Sequence, residues 1–146
     1  YEDDIAMGLG GYVAEKVIFG DITTGPSNDL KVATATARDM VTKFGMSDLI
    51  GPIVVDGKPA QTIFGDRVDG SDRSEKMLES IDSEVSRIIH RGLERAEEVI
   101  KEYKDAFVDI AETLLKVETL EQSEYNEILK KYGIAIKELP QTKKAS

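Results

Sequence analysis

The sequence predicts a mainly α-helical bundle with one short β-hairpin or flap. Apolar residues recur every three or four positions over most of the chain, which is the spacing of one helix face. Glycine follows three of these periodic segments, at Gly20, Gly45 and Gly133, where it favours the end of a helix. β-branched and aromatic runs are confined to residues 53–55 and 62–64, with turn residues between them, so a single short hairpin is expected there.

The composition excludes several classes of function. The 146 residues carry a net charge of -9, which argues against a nucleic-acid surface and against docking onto anionic lipid. No apolar run approaches the roughly 18 residues of a membrane span. The chain has no cysteine, which excludes disulfides, cysteine zinc sites and thiol catalysis. His90 is the single histidine, so the chain alone cannot build a two-histidine metal site.

The first helix is predicted over residues 1–19. Its apolar face repeats every four residues, through Ile5, Leu9, Val13 and Val17. Glycines in a helix interior cost about 1 kcal/mol each relative to alanine, and this helix contains Gly8, Gly10 and Gly11. We therefore expect another backbone to pack very close to this helix.

A loop and a second helix follow. Gly25-Pro26 indicates the loop, and Ser27 is the predicted N-cap of a helix over residues 28–44. Asp29 then falls in the first helical turn, where a carboxylate complements the positive end of the helix dipole even without any other role. The predicted buried face contains Leu30, Ala33, Ala37, Val41 and Phe44.

The longest helix is predicted over residues 74–103, on the order of 45 Å in length. Its buried seam contains Ile81, Val85, Ile88, Gly92, Ala96, Val99 and Tyr103. His90 lies off that seam and is interpreted as an ordinary surface or boundary residue. The interleaved charges are interpreted as a solvated helix face, and they comprise Glu84, Arg87, Arg91, Glu94, Arg95, Glu97 and Glu98.

Two shorter helices complete the bundle, over residues 105–116 and about 119–132. Thr119 and Gln122 have the spacing of a capping box, which predicts Thr119 as the N-cap. The two helices are expected to form an antiparallel hairpin against the long helix. Residues 1–139 are thus expected to form one domain, and residues 140–146 a disordered polar tail.

The specific motifs lie in the first fifty residues. Gly-Gly-Tyr-Val-Ala-Glu at 10–15 and Thr-Thr-Gly-Pro-Ser-Asn-Asp-Leu at 23–30 resemble the peptidase domain of FtsH-type membrane-bound AAA+ zinc metalloproteases. The resemblance continues through Phe-Gly-Met-Ser at 44–47 and weakens along the later helices to about residue 132. It implies that the chain is the C-terminal part of a helical, FtsH-like peptidase domain.

The resemblance also implies the setting of the whole protein. Such proteases are homo-hexamers in which an AAA+ module binds ATP and Mg²⁺ and delivers unfolded or damaged proteins, from membrane and soluble pools, to a zinc-dependent peptidase. Their N-terminal segments anchor them in the bacterial inner membrane or an equivalent organellar membrane, with the peptidase domain in the cytoplasm. These 146 residues are expected to be soluble by themselves and to contact no nucleic acid.

The resemblance assigns Asp29 as the third zinc ligand. In the family, the other two ligands are the histidines of a His-Glu-x-x-His helix, whose glutamate is the general base. No His-Glu-x-x-His occurs in this chain, so both histidines and the base are expected upstream of Tyr1. The chain alone is therefore expected to contain no catalytic residue, to bind zinc weakly and to hydrolyse no peptide.

Three alternatives accompany this assignment. Glu15 is the rival ligand, but Asp29 is preferred because a short side chain at a helix start is held more rigidly. Glu15 is expected instead to orient a ligand or to make a salt bridge, and Asn28 to orient a ligand. The acidic run at residues 2–4 is interpreted as an exposed helical start rather than a metal cluster. The alternative function is a catalytically inactive helical scaffold or interaction domain derived from the same family.

Overall fold

A computed structural model describes residues 1–55, 60–61, 67–68 and 74–136. The chain divides into two compact units, Tyr1–Val99 and Ile100–Ser146. The elements in order are α1 (Glu2–Gly8), α2 (Gly10–Phe19), α3 (Ser27–Thr42), β1 (Ala60–Gln61), β2 (Arg67–Val68), α4 (Glu75–Glu102), α5 (Lys104–Val117) and α6 (Gln122–Lys131). The predicted mainly helical class is confirmed, whereas the prediction of a single domain over residues 1–139 stays a prediction.

The first predicted helix is divided at Leu9. This residue has φ -82° and ψ -5°, whereas α-helical ψ is about -42°. Glycine on either side lowers the helical preference of the segment, which explains why the interruption falls here. The chain direction nevertheless continues, because the Leu9 N–H donates to the Ile5 carbonyl at 2.9 Å and the Val13 N–H donates to the Leu9 carbonyl at 3.0 Å. Gly20, with φ +72°, ends α2 as predicted.

The close approach expected at the first glycines occurs at a different glycine. Apart from neighbouring residues of the same helix, no described heavy atom lies within 4 Å of where a Cβ on Gly8 or Gly10 would stand. A Cβ on Gly92 of α4 would instead lie 2.8 Å from Ile5 Cγ2 and 3.2 Å from Leu9 Cδ1. Another helix therefore does approach α1 closely, with the Ala6 backbone nitrogen 3.6 Å from that position, but the glycine that permits the approach belongs to α4 rather than to α1 or α2.

Helix α3 begins one residue earlier than predicted. Pro26 is its N-cap, with φ -73°, and Ser27 is the first helical residue without a side-chain cap. The prediction of Ser27 as the N-cap was therefore wrong. The fixed φ of proline suits this entry, and the Pro26 carbonyl accepts the first helical hydrogen bond from the Leu30 N–H at 3.0 Å.

The end of α3 also differs from the prediction. The helix stops at Thr42, and the chain reverses at Gly45 with φ +62°. Phe44 therefore leaves the buried face and is 51% exposed, stacking on Tyr1 with 5.7 Å between ring centroids. Met40 is buried one turn earlier.

The core of the first unit is built from α1, α3 and α4. Its buried members are Ile5, Leu9, Ala33, Ala37, Met40, Val41, Ile81, Val85 and Ile88. Two surface ion pairs join the same helices, Arg91–Glu2 at 3.2 Å and Arg38–Asp82 at 2.9 Å. The core therefore packs α1 against α3. The loop and first turn at the start of α3 contain the candidate site described below.

The predicted hairpin of residues 53–55 with 62–64 is not supported. Residues 53–55 form no strand, and residues 62–64 lie outside the described residues. The strands that the structure describes have two residues each, with Ala60 opposite Val68 and Gln61 opposite Arg67 in antiparallel register. Runs of apolar β-branched residues in the sequence therefore did not predict where these two strands lie. The predicted tail at 140–146 also lies outside the described residues.

One charge on α4 is buried, contrary to the prediction of a solvated face. Glu84 is 4% exposed. It accepts the Ser47 hydroxyl at 2.7 Å and two Arg87 guanidinium N–H groups at 2.9 Å each. The signal was available in the sequence, because Glu84 lies three residues after Ile81 and four before Ile88, which places it on the apolar seam.

The second unit contains the pair α5 and α6. Lys131 near the end of α6 donates to Asp109 of α5 at 2.7 Å, and the neighbouring Tyr132 hydroxyl donates to the same carboxylate at 3.1 Å. The two helices are antiparallel, as predicted. The capping box consists of Glu121 and Glu124, so the prediction of Thr119 as the N-cap was wrong. Packing of this pair against α4 stays a prediction.

Candidate metal centre

The candidate centre is built around Asp29, in the first turn of α3. Its carboxylate is exposed, and it makes no hydrogen bond or ion pair with any residue that the structure describes. A Cβ on Gly11 would lie 3.9 Å from Asp29 Oδ2, so this oxygen faces the first turn of α2. Asp29 thus presents a carboxylate with free acceptor positions beside a second helix.

A small cavity of about 160 Å³ adjoins this carboxylate between α1 and α3. Its polar lining residues are Asp4, Asp29 and Thr36, and its other lining residues are Ile5, Gly8, Val32 and Ala33. Asp29 therefore presents its carboxylate to a cavity that it shares with Asp4.

Glu15, the rival ligand, is half-buried and engaged with Thr23. The Thr23 N–H donates to Glu15 Oε2 at 2.9 Å, and the Thr23 hydroxyl lies 3.0 Å from both carboxylate oxygens. These contacts join α2 to the loop that leads into α3. In this arrangement both Glu15 oxygens hold the loop.

The loop is stabilised by its own hydrogen bonds between Thr23 and Ser27. The Gly25 N–H donates to Thr23 Oγ1 at 3.1 Å, and the Ser27 N–H donates to the Thr24 carbonyl at 3.2 Å. Pro26, between these two turns, is buried. This loop fixes the direction in which the chain enters α3. The sequence analysis included Thr23 in the motif at 23–30 but assigned it no role, because loop contacts follow no periodic pattern.

The remaining sequence-predicted residues do not join this site in the described structure. Asn28 is exposed, and its side chain forms no hydrogen bond with another described residue. His90 is an exposed residue of α4, and its Nδ1 lies 2.8 Å from the Ser86 carbonyl oxygen of its own helix. Glu2 is exposed and is engaged in the Arg91 ion pair, which agrees with an exposed helical start.

The donor set fits one ligand of a metal centre. Zn²⁺ binds Asp oxygen, and a catalytic zinc site uses three protein ligands with one open position. Across residues 1–55, 60–61, 67–68 and 74–136, no group of three or more metal-binding side chains is assembled. Among the described residues, Asp29 alone could therefore supply at most one of those three ligands. In the same ranges no helix combines the length and apolarity that crossing a membrane needs.

The chain is similar to bacterial proteases over most of its length. It is 39% identical over 128 residues to ATP-dependent zinc metalloprotease FtsH 1 of Conexibacter woesei, and 40% identical over 129 residues to ATP-dependent zinc metalloprotease FtsH of Bacillus subtilis. It is 41% identical over 129 residues to ATP-dependent zinc metalloprotease FtsH of Thermotoga maritima. Each alignment covers 87% of this chain but only 20% or 21% of the relative, so the chain spans about a fifth of these proteins.

The family profile matches a longer stretch than the motifs that suggested it. Its match runs over residues 1–128, which include the whole first unit, with the loop before α3, and α5. With the relatives above, this match establishes the predicted resemblance: the chain belongs to peptidase family M41.

Proposed function

We propose that these residues form the C-terminal part of the peptidase domain of an ATP-dependent zinc metalloendopeptidase, in which Asp29 is the third zinc ligand. Membership of peptidase family M41 supports the reaction class. The names of the relatives, ATP-dependent zinc metalloproteases, support zinc as the metal and ATP as the energy source. Mg²⁺ and ATP would be bound by an AAA+ module outside these residues.

The observation that carries the proposal is that the Asp29 carboxylate is exposed and has no partner among the described residues. Glu15, the rival ligand, is already engaged by Thr23. The short side chain of Asp29 on a helical turn limits its conformations, which favours a fixed ligand position.

The chain's own residues would act by binding and positioning. Asp29 would bind the metal through a carboxylate oxygen, and Glu15 would hold the loop before α3 in place. When bound, zinc polarises the scissile carbonyl and lowers the pKa of its water to about 7. The two histidine ligands and the glutamate that accepts the proton would come from a His-Glu-x-x-His segment outside these 146 residues. Asn28 would orient a ligand only after those residues are present.

The proposal extends to the whole protein through the family resemblance. The protein would be a membrane-anchored homo-hexamer with its peptidase domain in the cytoplasm, and it would degrade unfolded or damaged proteins. The helical bundle of this chain would contribute to the hexamer. The anchoring segments would lie outside these residues.

The test uses a longer form of the protein that includes the upstream His-Glu-x-x-His segment. Zinc content and casein hydrolysis are measured for the unchanged protein, for Asp29→Ala and for Asp3→Ala. Asp3 is the matched control, because it is also an exposed acid in the first turn of a helix. We expect Asp29→Ala to lower zinc occupancy and activity by at least about tenfold, and Asp3→Ala to change neither.

Two other outcomes would contradict the proposal in different ways. If Asp29→Ala retained zinc and activity while Glu15→Ala abolished both, Glu15 would be the ligand and the Asp29 assignment would be wrong. If the unchanged protein held no zinc and cleaved no casein, the inactive scaffold would be the better description of this family member.

A further inference from the structure

We propose that Thr23 and Gly25 are positioning residues for Asp29, a role that rests on the proposed function of Asp29 as a zinc ligand. Neither residue would touch metal or substrate. They would set where α3 begins, and through it where the Asp29 carboxylate stands.

The first step of the argument is the Glu15–Thr23 contact. The Thr23 N–H and hydroxyl both meet the Glu15 carboxylate, at 2.9 Å and 3.0 Å. Hydrogen bonds to an ionised acceptor are stronger than neutral ones, and two of them restrict both position and orientation. Thr23 is therefore fixed to α2, eight residues away in the chain.

The second step is the Thr23–Gly25 contact. The same hydroxyl that donates to Glu15 accepts the Gly25 N–H at 3.1 Å. A Cβ on Gly25 would lie 3.3 Å from Thr23 Oγ1, which is closer than most real Cβ contacts, and 3.4 Å from Glu15 Oε1, at the edge of ordinary van der Waals contact. Gly25 does not have a positive φ. Its lack of a side chain therefore serves close approach to this hydrogen-bonded group rather than an unusual backbone conformation.

The third step carries this geometry to Asp29. The Thr24 carbonyl accepts the Ser27 N–H at 3.2 Å, and buried Pro26 fixes the backbone at the N-cap. Asp29 follows within the first turn, so a change in the loop path moves its carboxylate directly. An error of about 1 Å is enough to impair a catalytic centre.

The first measurement follows individual amides by NMR hydrogen exchange in the 146-residue chain. Thr23→Val replaces the hydroxyl with a methyl group and keeps the branched shape of the side chain, and we expect the Gly25 amide to exchange at least about fivefold faster. Thr24→Val is the matched control, because Thr24 is exposed and its side chain makes no hydrogen bond with a described residue. Thr23→Ser restores the hydroxyl and should restore protection of Gly25.

The second measurement is the Kd for zinc of the full-length protein, determined by competition with a chelator. We expect Thr23→Val to raise the Kd by about tenfold or more, the size found when groups that orient a ligand are removed. Thr23→Ser and Thr24→Val should leave the Kd unchanged. Gly25→Ala should raise it, whereas Gly10→Ala should not, because a Cβ on Gly10 would meet no described atom within 4 Å apart from neighbouring residues of the same helix.

The outcomes separate this inference from the function on which it rests. If Thr23→Val deprotected Gly25 without changing the zinc Kd, the positioning role would be overturned while Asp29 could still be a ligand. If Thr23→Val changed neither quantity, the contact itself would be wrong. If Asp29→Ala left the zinc Kd unchanged, both the positioning role and the proposed ligand would be overturned.

Discussion

At the scale of single residues, three carboxylates illustrate how surroundings determine the role of one chemical group. Asp29 is exposed and unpaired among the described residues, so it is available to a metal. Glu15 binds the hydroxyl and amide of Thr23, so it holds a loop. Glu84 is buried and satisfied by Ser47 and Arg87, so it stabilises the fold. Their sequence neighbourhoods alone did not distinguish these roles.

The Glu84 carboxylate should make the stability of the chain depend on acid pH. The Arg87 guanidinium, with help from the Ser47 hydroxyl, holds the pKa of Glu84 below its ordinary value of 4.5, against the opposing effect of burial. Because the pKa is lower in the folded state, ionised Glu84 stabilises the fold above about pH 4.5, and this contribution is lost as the pH falls through the folded pKa. The effect is limited, since Arg87 is 44% exposed.

We expect Glu84→Gln to lower the free energy of unfolding at pH 7 by about 1–2 kcal/mol. The difference from the unchanged chain should shrink below about pH 4.5, and urea unfolding at a series of pH values measures it. Glu94→Gln is the control, because Glu94 is an exposed acid of the same helix. A difference that stayed constant down to pH 2 would show that the charge of Glu84 does not cause the stabilisation.

At the scale of elements, the first unit depends on how closely α4 approaches α1. Gly92 lies in the interior of α4 and is buried against Ile5, Ala6 and Leu9. Ile5 and Leu9 are themselves 2% and 0% exposed, so they have little space into which to move. Glycine lowers the intrinsic helix propensity of α4 at this position, but it allows α4 and α1 to pack at a short distance.

We expect Gly92→Ala to destabilise the chain by about 1–2 kcal/mol, although alanine is the better helix former by about 1 kcal/mol. The reason is the 2.8 Å contact that its Cβ would make with Ile5 Cγ2, a branched methyl that cannot rotate freely. Urea unfolding of the two chains measures the change.

Two further variants separate overpacking from other causes. Gly10→Ala adds the same methyl group where, apart from neighbouring residues of the same helix, no described atom lies within 4 Å, so it should not destabilise the chain. Ile5→Leu removes the Cγ2 methyl and should recover part of the stability of Gly92→Ala. Equal stability of Gly92→Ala and the unchanged chain would rule out the close packing of α4 on α1.

At the scale of the whole molecule, the periodicity of apolar residues and the positions of turn residues predicted the features that depend on residues close in the chain. The helices, the left-handed end at Gly20 and the first-turn position of Asp29 all follow from residues close in the chain. The close approach at Gly92 depends on which helix packs opposite. The Glu15–Thr23 contact depends on how a loop folds back. Such tertiary relations leave no reliable local pattern, and they include the contacts that shape the candidate site.

The two compact units differ in how much apolar surface they bury, and this should give them different local stabilities. The first unit contains the whole core cluster, whereas among described residues of the second unit only Ala106 is buried. Leu115 is 84% exposed and Val117 is 50% exposed. Helices with few buried apolar contacts open at low free energy.

We therefore expect the amides of α5 and α6 to exchange at least about tenfold faster than those of α3, with hydrogen exchange followed by mass spectrometry at neutral pH. Both sets of peptides are observed in one sample, so differences in pH or temperature cannot produce the contrast. The amides of α4 between Ile81 and Ala96 should resemble α3, because this stretch shares its core. Equal protection of α5, α6 and α3 would mean that the two units unfold as one cooperative structure, and the division at Val99 would then have no energetic meaning.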